Sequence, residues 1–149
     1  MGRIAFLIAS LVLFGSGRAI AAPDDFARVL AGPWGRVDTN WQPYIGVLAK
    51  NSCPTVGITR PQSVGLFGEG GSMWIEAGIG GAITLHDGAS LPRTLSLVRM
   101  EGASSATYSG ARGDRRLTLV AADRITEELV PPTPDVPAAH FVRCKIKKK

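Results

Sequence analysis

The chain has 149 residues with 17 basic and 12 acidic side chains, two histidines and two cysteines. With residues 1–21 read as a leader, what remains is one domain, too short for a (β/α)8 barrel or a two-halved dinucleotide-binding fold. Nor does the formal charge of +5 point to nucleic acid: setting aside Arg3, Arg18 and the terminal Lys145, Lys147, Lys148 and Lys149 leaves 11 basic against 12 acidic side chains, so the excess sits in a tail and not on a face.

Residues 1–21 have the three parts of a secretory signal. Arg3 supplies the positive start, 4–14 form an apolar run, and Ala19-Ile20-Ala21 offers a small-residue cleavage site. The expected product is therefore periplasmic or secreted, with the mature domain spanning 22–149. The apolar run is shorter than the roughly 18 residues of a membrane span, and no second run follows, so no transmembrane segment is expected. Cys53 and Cys144 then meet an oxidising compartment and are expected to pair. Closing a loop of that length contributes about 4 to 5 kcal/mol in the chain-entropy account.

Asp24-Asp25 ahead of Phe26, Val29 and Leu30 predicts one short helix, ended by Gly32-Pro33. Beyond it the glycines are frequent and the apolar residues recur at period two. Ile83 and Leu85 alternate with Thr84 and His86, and Leu117 and Leu119 with Thr118 and Val120, which predicts strands with one buried face. Further strands are expected at 56–59, 72–77, 94–101, 106–109 and 141–146. Asp87-Gly88 and the run 110–114 supply turn chemistry. In 94–101 the apolar set changes face between Leu97 and Val98, which predicts a bulge. Ile125 and Leu129 fit either a helical turn or a strand, so 122–130 is open between the two. Pro131, Pro132, Pro134 and Pro137 force an extended connection to the last strand. The fold class is all-β: a small antiparallel barrel, or a sandwich, of about seven to nine strands with one helix and one disulfide, the barrel being preferred.

At the corner from helix to first strand, Gly32-Pro33-Trp34 resembles the G-x-W signature of lipocalins and related calycin barrels. The resemblance covers about ten residues. It implies an up-and-down barrel with Trp34 packed across its closed end, an arginine stacked on that ring, either Arg124 or Arg143, and often an apolar ligand inside. A T-D-Y motif is missing, and the same residues also read as a turn followed by a core tryptophan. In size and topology the chain is also similar to small exported barrels that inhibit proteases in Gram-negative periplasms.

Candidate chemistry is sparse. A zinc site from His86, Asp87 and His140 lacks HxH or HExxH spacing, G-x-S-x-G is absent, and Glu127 and Glu128 point to opposite faces of a strand as solvated carboxylates. The glycines between 65 and 81 lack the ending of a phosphate loop and read as turns. Arg112-Gly113-Asp114 falls in a hairpin turn. No catalytic residue, metal or cofactor is assigned. If Met73, Ile75 and Ala77 face the core, Trp74 and Glu76 face outward among glycines; this makes Trp74, with Glu76 and Met73, the candidate contact site, while Gly32 and Trp34 are structural.

The resulting expectation is a monomeric, non-enzymatic exported binding protein for a small apolar ligand. Two alternatives stand beside it: an inhibitor or envelope accessory factor binding a protein near Trp74, and a small hydrolase. The lysines of the tail, Lys145, Lys147, Lys148 and Lys149, could add weak contact with an anionic surface.

Overall fold

Alternation of apolar and polar residues closes this chain into a cylinder. The computed structural model describes residues 22–37, 53, 72–87 and 91–145. The leader, the strand expected at 56–59, the glycines from 65 to 71 and the last three lysines lie outside them.

Helix α1 (Pro23–Leu30) comes first, with proline at its first position and Asp24 and Asp25 in its first turn, where acids suit the helix dipole. Phe26, Ala27 and Leu30 form its buried face, and Val29 is turned to solvent. Eight strands follow: β1 (Gly32–Val37), β2 (Met73–Ala77), β3 (Ile83–His86), β4 (Arg93–Met100), β5 (Ser105–Ser109), β6 (Asp114–Ala121), β7 (Arg124–Val130) and β8 (Ala139–Arg143). Each pairs antiparallel with the next, and β8 returns to β1, so the sheet is a closed barrel. Closure removes both edge strands. The sandwich alternative is thereby excluded.

The segment 122–130 resolves as strand. Ala122 and Asp123 turn the chain, and β7 then pairs along the whole of β6. The apolar switch in β4 is a bulge, since the register with β5 shifts between Leu97 and Arg99. The last strand begins two residues earlier than the sequence suggests.

Residues opposite one another across a ladder share a face. Following that rule around the cylinder puts Trp34, Ile75, Ile83, Leu95, Ala106, Tyr108, Leu117, Ile125 and Phe141 inside, all buried in one cluster. The end nearest β1's start is sealed by α1, whose Phe26 and Leu30 join that cluster. Between β2 and β3 a 3-10 turn (Ile79–Gly81) meets the helix, and Asp24 Oδ1 accepts the Gly81 N–H at 2.7 Å. Gly81 has φ +77°, and a Cβ there would lie 2.7 Å from Pro23. Only glycine allows the helix to sit so close.

Candidate functional site

The helix end is a structural lock built on Trp34. Its indole N–H donates to Leu30 O at 2.8 Å, satisfying a carbonyl at the end of α1. The Arg143 guanidinium lies 4.1 Å from the ring centroid of Trp34. Its nitrogens donate to the carbonyls of Ala31, Val29 and Ala122, so it joins helix, first strand and the β6–β7 turn. Burial pulls the Arg143 pKa below the usual guanidinium value. Gly32, at φ +118°, leaves room for that side chain, since a Cβ there would lie 3.3 Å from Arg143 Nη1. Of the two arginines left open by the sequence, Arg143 is therefore the one stacked on the tryptophan.

The opposite end of the lumen is different in character. Arg93 on β4, Tyr108 on β5, Arg115 on β6 and Glu127 on β7 share the inner face with the core residues. Arg93 Nη2 donates to Asp87 at 2.9 Å, and Arg115 Nη1 to Glu127 at 2.6 Å. Glu127 is therefore paired inside the barrel and not solvated, while Glu128 on the outer face accepts Arg116. Tyr108 is fully buried, and its hydroxyl has no hydrogen-bond partner. Burial pushes its pKa up to about 12. Arg93 Nε is likewise buried without a partner.

Between the start of β4 and the β5–β6 turn the wall opens into a pocket of 260 Å³. The register explains it. Pairing of β4 with β5 ends at Ser96 and Ser109, whereas β4 extends back to Arg93. The turn at 110–113 leaves that extension, and the gap is lined by Pro92, Arg93, Leu95, Gly110, Arg112 and Arg115 among others. A Cβ on Gly110 would come within 2.4 Å of Leu95 Cδ2, so the pocket wall depends on that glycine.

Comparison with protein-family models, curated proteins and solved structures finds no match.

The structure places the sequence candidates apart from this pocket. Met73 and Ile75 are buried inside the barrel, and Trp74 and Glu76 lie on its outer wall. Trp74 is half-buried against the Cys53–Cys144 disulfide. Glu76 Oε2 lies 2.8 Å from His86 Nε2 across the β2–β3 ladder. No three metal-ligating side chains come together among the described residues, and no helix there is long and apolar enough to cross a membrane. Sequence reasoning missed Arg93, Tyr108 and Arg115. The signal was present in part: Arg115 has the same parity as Leu117 and Leu119, so an arginine falls on the core face of β6.

Proposed function

We propose that the chain is an exported, non-enzymatic binding protein that holds a small apolar ligand at the end of the barrel away from α1. The observation that carries this reading is the 260 Å³ pocket between β4 and the β5–β6 turn, whose wall includes Pro92, Leu95, Gly110 and Ala111. Concave, mainly apolar sites with a few placed polar groups are the usual form of small-molecule sites. A lipocalin-like barrel is the architecture we favour: the closed eight-stranded sheet, the helix before β1 and the Trp34–Arg143 stack all support it. Export is supported by the Cys53–Cys144 disulfide. The protein is to be isolated from the compartment into which it is exported and weighed intact under native conditions. Extra mass that is released as an organic molecule on extraction is the expected result; a bare polypeptide mass contradicts the reading.

A second reading, a protein contact on the outer wall, is favoured by Trp74 keeping part of its ring in solvent beside the exposed Glu76. Capture of a partner that Trp74→Ala abolishes would support it, and unchanged capture would remove it.

A further inference from the structure

We infer that the gap between β4 and the β5–β6 turn accepts an extended peptide segment of a partner protein, which adds to β4 through its main chain, seats one apolar side chain beside Leu95 and sets an acidic residue by Arg112. The inference rests on the pocket proposed above as a binding site, and it extends the occupants from a free small molecule to a stretch of another chain.

The first observation is an open ladder. β3 pairs with β4 as far back as Arg93, opposite Leu85, whereas β5 pairs with it only as far as Ser96, opposite Ser109. Successive strand residues turn their N–H and C=O groups to opposite sides, so at least one of Arg93, Thr94 and Leu95 turns its pair away from β3 and into the gap. Among the described residues, no backbone hydrogen bond reaches this stretch from the 110–113 turn, whose Gly113 N–H donates to Gly110 O at 3.1 Å and closes the turn on itself. Thr94 is exposed and lines the pocket, so this edge is reached from solvent. A row of unpaired strand groups is what an added strand pairs with.

Charge is the second observation. Arg112 is exposed at the third position of the turn and lines the pocket, and among the described residues no acidic side chain pairs with it. Arg93 and Arg115 are neutralised by Asp87 and Glu127, neither of which lines the pocket. The charge left to the wall is that of Arg112, which a carboxylate beside the seated side chain complements.

Size limits what is seated. At about 30 Å³ for each water-sized atom in a liquid, the 260 Å³ pocket takes on the order of nine non-hydrogen atoms, the size of a leucine with its main chain. One residue held between exposed neighbours is the pattern of strand addition, in which alternate side chains enter pockets.

The test is a calorimetric or NMR titration of the exported, disulfide-bonded protein with the blocked peptide acetyl-Thr-Asp-Leu-Thr-amide. Two further versions carry a methyl on the backbone nitrogen of the Asp or of the Leu. Because neighbours on a strand face opposite sides, only one of the two loses a bond to β4, and that one is expected to bind at least about threefold more weakly than the other. Exchanging the peptide's Asp for Asn, or Arg112→Ala in the protein, is each expected to weaken binding by about threefold, with no further loss when the two are combined and no change in the binding of 1-octanol. Equal binding of the two methylated versions, or peptide binding indifferent to Arg112→Ala, overturns the inference. Binding of 1-octanol without the peptide also overturns it and leaves the small-ligand reading standing, whereas binding of neither overturns both.

Discussion

Trp34 shows how one side chain can carry several structural duties. Its ring fills the helix end of the barrel, its N–H takes a helix carbonyl, and its face carries Arg143. Trp34→Ala removes all three, and an expected loss of about 3 to 5 kcal/mol follows from the buried volume; urea unfolding would measure it. Tyr108→Phe should act in the other direction. Deleting a buried hydroxyl that has no partner removes a desolvation cost, so unliganded stability should stay level or rise by about 1 kcal/mol. Glu101 sets an acid limit on the outer wall. Its carboxylate accepts from Thr107, Arg99 and Arg116, and first the Thr107 hydroxyl and then the Arg116 guanidinium hold its pKa at about 2 instead of 4.5. A carboxylate with a depressed folded pKa adds stability that is complete above the unfolded value and lost as protons bind the folded form. The contribution is thus full above about pH 4.5 and fades as pH falls toward 2. Glu101→Gln should flatten that part of the pH profile, which thermal melts in acid would show.

At the level of elements, the register between neighbours decides where the barrel is solid and where it is hollow. β4 outruns its pairing with β5, and the 110–113 turn leaves the gap that becomes the pocket. Gly110→Ala should press Leu95 into that gap, at a cost of about 1 to 3 kcal/mol. Loss of 1-octanol binding with the fold retained would be the accompanying sign in a titration. Much of this pattern was legible in the chain: the helix from Asp24 and Asp25, the strands from period-two spacing, and the bulge from the change of face after Leu97. The segment 122–130 was not, because Ile125 and Leu129 satisfy two periodicities. Its ion pairs with β6, Arg115–Glu127 inside and Arg116–Glu128 outside, fix it as strand, and those are long-range contacts that local spacing cannot reveal. The pocket was hidden for the same reason. It arises from unequal strand lengths across a ladder, whereas Trp74, conspicuous in the sequence, lies half-buried against a disulfide on the outer wall.

For the whole molecule, closure and polarity act together. Eight strands leave no edge, α1 seals one end, and the buried cluster fills the lumen beneath it. Toward the other end Arg93 and Arg115 lie on the inner face, paired with Asp87 and Glu127, and both line the pocket that opens there. The Cys53–Cys144 bridge ties residues 91 apart in sequence to the end of β8. Reduction should cost about 4 to 5 kcal/mol, seen as a lower denaturant midpoint, while the cylinder of backbone hydrogen bonds stays the same. The division of the lumen into a filled end and a receiving end is tested most directly by NMR of leucine methyl groups during titration with a small apolar probe, 1-octanol. The account predicts that Leu95 shifts while Leu30, beneath the helix, does not; equal shifts at both, or none at Leu95, would contradict it.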